Sequence, residues 1–313
     1  RYFPQEETTE EDRVRIMTQF VTDVRAVLDR TAGAGRRRWL CVRVPQRLRQ
    51  HGELGIDLAR WVTAGVDMVN LSCHFVTEQQ SDLAKICRLL PGTPVYLETT
   101  FVNHRYAKPT GPRTSRNEVY RKMTAEQFST AAHLAYSRGG AGVSAFNFVY
   151  YRSLAESQTQ TEPPFEALGR LRDPEWVARQ PQHYFTTRCG SSDRPEIMAS
   201  EGRELRPDRP ITISLDMAPP AGGWQIGGRL RVQAVTNFEG RRLAVRFGGI
   251  ELVPTLDVSE PYAAPYPDGL AGPEALRAWI VPAGLLMDGQ NTIEIRITEG
   301  EPVQVSFVDV AVR

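Results

Sequence analysis

Short apolar segments alternate with amphipathic helical stretches in the first half of the sequence. Four segments have the length and the β-branched content of buried strands; they span residues 39–45, 67–75, 94–102 and 142–151. The helical stretches are bounded by capping residues and by glycine or proline; they span residues 10–31, 57–64, 81–90 and 124–137. This alternation predicts a parallel sheet with helices packed outside it.

The pattern of the chain changes after the fourth strand. Residues 103–122 are basic and rich in turn formers, which predicts a long loop, and residues 163–180 return to a helical pattern. Beyond them, polar and apolar residues alternate in short runs punctuated by glycine and proline, which is typical of an antiparallel β-sandwich. We therefore predict three parts, which are a partial (β/α) domain at 1–185, a linker at 186–208 and a β-sandwich domain at 209–313.

Four βα units are half of the eight that close a (β/α)8 TIM barrel. An open sheet is one explanation, and a barrel whose first half is missing from the chain is the other. The sequence begins with a loop and a helix rather than with a strand, which favours the second explanation. We expect the C-terminal half of a TIM barrel.

Polar residues end the four predicted strands. In parallel α/β folds the chemistry lies at the carboxyl ends of the strands, and those ends carry Arg43, His74, Glu98 and Asn147. Alternation along the last strand places Tyr151 on the side of Asn147. Asn70 and Ser72 lie deeper on the second strand and are expected to orient their neighbours. Glu98 is the single carboxylate in this set and is the strongest functional indication.

Composition and motifs exclude several classes of function. The 38 basic and 37 acidic residues give a net charge of +1, which does not favour a nucleic-acid or anionic-membrane partner. No apolar run approaches the ~20 residues of a membrane helix. The four cysteines lack metal-ligand spacing. The four strands contain no lysine for a Schiff base, and no Gly-rich phosphate loop precedes a helix. We predict no metal and no cofactor.

Several segments carry a resemblance to a known group of enzymes. They are residues 1–4 (RYFP), 42–45 (VRVP), 54–57 (LGID) with 61–62 (WV), and 95–98 (VYLE). Together they resemble the second half of glycoside hydrolases with a clan-A TIM barrel, loosely like family 10. Residues 284–295 resemble the end of galactose-binding-like jelly rolls. The resemblance implies a carbohydrate substrate and the hydrolysis of a glycosidic bond.

The resemblance also implies roles for the site residues. Glu98, at the end of the seventh barrel strand, would be the nucleophile of a retaining mechanism, with an acid/base carboxyl group ~5–5.5 Å away. That partner is expected upstream of residue 1, so the chain alone is expected to be inactive. Arg43, His74, Asn147 and Tyr151 would contact the sugar.

Two alternatives stay open at this point. Glu98 and Arg43 can instead form a structural ion pair that neutralises two buried charges. The chain as a whole can be a non-catalytic carbohydrate-binding or structural module, in which the half barrel is a scaffold and the sandwich binds the sugar.

Overall fold

The computed structural model describes residues 8–72, 77–107, 118–146, 164–187, 203–263 and 271–313. The chain divides into two compact units. Unit 1 comprises residues 1–74, 81–98 and 135–144, and unit 2 comprises residues 75–80, 99–134 and 145–313. The domain boundaries given by the sequence analysis stay predictions.

The first elements alternate between helices and strands. In chain order they are α1 (Glu10–Thr31), β1 (Cys41–Pro45), α2 (Leu58–Thr63), β2 (Met68–Ser72), α3 (Leu83–Leu89), β3 (Val95–Thr99), β4 (Val102–Ala107), β5 (Glu118–Lys122), α4 (Ala125–Ser137) and β6 (Gly142–Ala145).

Short helices and then strands make up the rest of the described chain. They are α5 (Phe165–Arg170), α6 (Pro174–Val177), β7 (Gln182–Thr186), β8 (Arg203–Leu205), β9 (Ile211–Met217), β10 (Gly228–Ala234), β11 (Arg242–Phe247), β12 (Ile250–Glu251), β13 (Val253–Thr255), β14 (Leu276–Val281), β15 (Gly289–Glu299) and β16 (Val303–Val312). No helix within the described ranges is long and apolar enough to cross a membrane.

The four predicted strands form one sheet in the order β1-β2-β3-β6. β1 and β2 pair in parallel with Arg43 opposite Asn70, and β2 and β3 pair in parallel with Asn70 opposite Tyr96. This confirms the predicted parallel sheet with helices between its strands.

One face of this sheet packs against the helices and forms the core of unit 1. Five of its strand residues are at most 2% exposed, because alternate side chains of a strand point to the same face. Each buried aliphatic side chain contributes roughly 1.5–3 kcal/mol. The five are Val44, Val69, Leu71, Val95 and Leu97, and the helix side of the core includes Val21, Leu58, Trp61, Leu83 and Ile86.

Asp67 joins α1 to the amino end of β2. Its Oδ2 accepts hydrogen bonds from the Leu40 N–H at 2.8 Å and from Arg25 at 3.2 Å, and its Oδ1 accepts one from Arg37 at 2.6 Å. Burial raises the pKa of Asp67, but the Leu40 hydrogen bond and the two arginines outweigh it and lower the pKa below its usual value. The ionised carboxylate therefore fixes this end of the sheet.

A glycine closes the short 3-10 turn that faces α1. Gly55 has φ +68°, and a Cβ at this position would lie 2.6 Å from the carbonyl carbon and oxygen of Arg13. Only a residue without a side chain allows both this left-handed conformation and this approach to the α1 backbone.

The prediction of a loop over residues 103–122 is wrong at both ends of this segment, where the structure has strands. β4 and β5 pair in an antiparallel hairpin, with Val102 opposite Lys122 and Ala107 opposite Glu118. The residues between these strands lie outside the described ranges.

Unit 2 contains the predicted antiparallel β-sandwich. One sheet has the order β13-β14-β10-β16-β7, with β8 also paired to β16, and the other has the order β12-β11-β15-β9. Their inner faces supply fully buried side chains such as Leu230, Val310, Phe247, Ile293 and Ile295. The α/β sheet followed by antiparallel sheets confirms the predicted fold class.

A buried charge cluster lies in the first of these sheets. Arg231 and Asp309 have side chains 2% and 1% exposed, with Nη2 to Oδ2 at 2.6 Å and Nε to Oδ1 at 3.1 Å. His183 Nε2 lies 2.9 Å from Asp309 Oδ2, and Arg231 also donates to Glu260 at 2.9 Å. Because each charge has an oppositely charged or hydrogen-bonding neighbour, the cluster is tolerated in the interior.

Candidate functional site

Glu98 and Arg43 meet on the face of the parallel sheet that does not pack against the helices. Arg43 Nε lies 2.5 Å from Glu98 Oε2, and Arg43 Nη2 lies 2.8 Å from Glu98 Oε1. This two-point geometry matches the fork of a guanidinium to the two oxygens of a carboxylate, which fixes the plane of both groups.

Two polar residues of β2 complete this arrangement. The Ser72 hydroxyl donates to Glu98 Oε1 at 2.9 Å, and the Asn70 amide nitrogen is 3.3 Å from Glu98 Oε2. The Ser144 hydroxyl on β6 donates in turn to the Asn70 amide oxygen at 2.6 Å, which sets the orientation of that amide. We call these five residues the Glu98 network.

The network follows from the alternation of the strands. Arg43, Asn70, Ser72 and Glu98 occupy positions of one parity on β1, β2 and β3, and the intervening residues are apolar and lie under the helices. Their depth on the second strand predicted that Asn70 and Ser72 orient their neighbours, and both contact Glu98. Ser144 was not predicted, and its signal was a lone hydroxyl in a short strand of small and apolar residues.

Burial is unequal within the ion pair. The side chain of Glu98 is 1% exposed, whereas that of Arg43 is 40% exposed. The cost of removing the carboxylate from water is offset by charged and neutral donors at both oxygens. The arginine reaches from the solvent side to a carboxylate that lies below it.

The hydrogen bonds also define what the carboxylate can do chemically. An ionised carboxylate has about four lone-pair sites. Here Oε1 accepts from Arg43 and Ser72, and Oε2 accepts from Arg43 and Asn70. For nucleophilic attack one of these hydrogen bonds has to lengthen.

Three predicted site residues cannot be placed. His74, Asn147 and Tyr151 lie outside the described residues, so their roles stay predictions. Across the part of the chain that the structure describes, no group of three or more His, Cys, Asp and Glu side chains is arranged to hold a metal ion.

No known protein family and no curated protein matches the sequence. Among solved structures, the chain is similar to a β-porphyranase of glycoside hydrolase family 86 from the human gut bacterium Bacteroides plebeius. That match has a TM-score of 0.27 and 11% identity, and covers 42% of this chain and 20% of that chain.

Two structures of the BuGH86 protein in complex with neoagarooctaose give similar scores. The wild-type structure has a TM-score of 0.25 and 12% identity over 42% of this chain and 18% of that one. A Glu-to-Gln variant has a TM-score of 0.27 and 8% identity over 99% of this chain and 68% of that one. The structural similarity to these enzymes is distant, and the chain spans only about a fifth of the length of the first two matches.

Proposed function

We propose that this chain belongs to a carbohydrate-active protein of the glycoside hydrolase type, in which Glu98 is the nucleophile that attacks the glycosidic bond. The observation that carries the proposal is the position of Glu98, a buried carboxylate near the carboxyl end of a parallel strand, where α/β folds place their chemistry. The acid/base partner, and sugar contacts by Arg43, His74, Asn147 and Tyr151, remain part of the proposal.

The Glu98 network suits this role in two ways. Arg43 places a positive charge against both carboxylate oxygens, and Ser72 and Asn70 hold those oxygens in a fixed orientation. A fixed negative charge also stabilises the positive charge that develops on the sugar ring in the transition state.

The same geometry favours a second candidate, which is a non-catalytic carbohydrate-binding or structural module. Glu98 is only 1% exposed, and within the described ranges each of its oxygens accepts hydrogen bonds from two donors. A carboxylate of this kind also serves as an internal link between three strands. The two candidates predict different effects of removing the Glu98 charge. A nucleophile predicts a loss of turnover, and a structural link predicts a loss of stability alone.

The decisive experiment uses the protein expressed from its complete gene. Hydrolysis is measured on neoagarooctaose, xylan and cello-oligosaccharides, first with the wild type and then with Glu98→Gln, which keeps the shape of the side chain. We expect kcat to fall on the order of 10³-fold or more, as for other catalytic nucleophiles.

Asp67→Asn is the matched control. Asp67 is also buried and paired with arginines, but it lies at the amino end of β2, where barrel residues serve stability. We expect this variant to lose stability and to keep its kcat. If Glu98→Gln turns over substrate like the wild type, the nucleophile role is rejected and the structural module is favoured.

A further inference from the structure

A pocket of about 660 Å³ lies in unit 2 between the first turn of α4 and the two short helices α5 and α6. We call it the α5–α6 pocket. Its volume falls in the range of ~300–1,000 Å³ that is usual for small-molecule sites. Neither the sequence patterns nor the proposed role of Glu98 accounts for it.

Two aromatic side chains line this pocket. Phe165, at the start of α5, is 46% exposed, so that its ring is accessible to a ligand. The Arg170 guanidinium lies 5.0 Å from the ring centroid of Trp176 on α6, so that a cation and an indole together form one wall of the pocket. Aromatic surfaces of this kind provide flat apolar faces for a ligand.

The polar groups of the pocket include both donors and acceptors. Glu126 and Glu166 bring carboxylates, and Arg170 brings N–H donors. Gln180 donates through Nε2 to the Trp176 carbonyl oxygen at 2.9 Å, which anchors this amide at the pocket wall. The two carboxylates and one guanidinium give the lining a formal charge of −1.

We propose that the α5–α6 pocket binds a neutral sugar ring of an oligosaccharide. A sugar has C–H faces that pack on aromatic rings, and hydroxyl groups that donate to carboxylates and accept from a guanidinium. The negative lining disfavours phosphate and other anions, and an apolar ligand would strip water from two carboxylates without replacing their hydrogen bonds.

The proposed pocket and the proposed hydrolysis both involve a saccharide. The pocket proposal concerns binding alone and does not rest on Glu98. The two are therefore tested by different measurements. Turnover tests the role of Glu98, and saccharide affinity that depends on Trp176 tests the pocket.

The test is a titration of the purified chain with neoagarooctaose, cellohexaose and xylohexaose. Binding is measured by isothermal calorimetry and by tryptophan fluorescence. We expect saturable binding of at least one saccharide and a change in tryptophan emission that is absent in Trp176→Ala. Trp176→Ala and Phe165→Ala should each raise Kd about tenfold or more, the equivalent of losing about 1.4 kcal/mol. Trp176→Phe retains an aromatic ring and should bind with an affinity near that of the wild type.

Trp39→Ala is the matched control, because Trp39 is a 69% exposed tryptophan in unit 1. It should leave Kd unchanged, and circular dichroism melts show whether each variant is folded. The inference is overturned if no saccharide saturates, if folded Trp176→Ala and Phe165→Ala bind like the wild type, or if spermidine, the cationic probe, binds the pocket in place of a saccharide.

Discussion

Glu98 and Asp309 are each 1% exposed, but their arginine partners differ in burial. The side chain of Arg43 is 40% exposed and that of Arg231 is 2% exposed. Removal of the Glu98 charge leaves a guanidinium that water can reach, whereas removal of the Asp309 charge leaves one inside the sandwich. The second loss is the more costly, because the buried Arg231 then depends on Glu260, a carboxylate that it shares with Arg121, and a buried charge that loses a partner is strongly destabilising.

We therefore expect Asp309→Asn to lower the free energy of unfolding by about 3–5 kcal/mol and Glu98→Gln by about 1–3 kcal/mol at neutral pH. Urea denaturation of the two variants and the wild type measures both values. Equal losses would contradict the role assigned to the burial of the arginine partner.

The Asp309 contribution also depends on pH. Burial raises the pKa of Asp309, but Arg231 and His183 outweigh it and hold the pKa far below its usual value. A carboxyl group with a lowered folded-state pKa stabilises the fold above its unfolded-state pKa of about 3.9 and loses that effect as the pH falls. The difference in unfolding free energy between wild type and Asp309→Asn should therefore narrow from pH 6 to pH 3.

At the residue scale, the sequence predicts on which face of a strand a side chain lies better than it predicts which residue that side chain contacts. Strand parity placed Arg43 and Glu98 on one side of the sheet, and the two form an ion pair there. Parity cannot predict that Asp309 meets Arg231, because those residues are 78 positions apart and their strands become neighbours only in the finished sheet. Buried ion pairs of this kind depend on topology, which the local pattern does not contain.

At the element scale, apolar strands were predictable and polar strands were not. β1, β2, β3 and β6 lie within the predicted segments because their helix-facing residues must be apolar. β4 and β5 contain Asn103, His104, Arg121 and other polar side chains, and turn-forming residues follow β4. Such a sequence resembles a loop, and only the pairing of the two strands identifies the hairpin.

Gly55 and Gly35 provide a test at the same scale, since both have a left-handed backbone, with φ of +68° and +72°. A Cβ at Gly35 meets nothing within 4 Å, whereas one at Gly55 meets the Arg13 carbonyl at 2.6 Å. Gly35→Ala should cost about 1–2 kcal/mol from the backbone conformation alone. Gly55→Ala should cost clearly more, because the turn must also move away from α1.

Thermal or chemical denaturation of the two glycine variants compares the two costs directly. Gly35→Ala serves as the control for the left-handed conformation, so the difference between the variants isolates the contact with α1. A Gly55→Ala protein as stable as Gly35→Ala would show that the turn is not held against the helix.

At the scale of the whole molecule, the sandwich can be tested as a fragment. β7 and β8 both pair with β16, and β7 brings His183 to Asp309, so a fragment that begins at residue 209 lacks two strands and one partner of the charge cluster. We expect a 181–313 fragment to unfold cooperatively at a higher Tm than a 209–313 fragment. Calorimetry of both pieces checks this, and equal Tm values would show that β7 and β8 add nothing to the stability of the sandwich.

The Glu98 network also carries information about strand alignment during folding. Its hydrogen bonds join residues of β1, β2, β3 and β6 that are 26 to 74 positions apart along the chain. A slip of one residue in any of these strands would turn its polar member toward the helices and an apolar residue toward the carboxylate. A misaligned sheet would then bury a charge without its partner. The network therefore destabilises wrong registers as well as stabilising the native one.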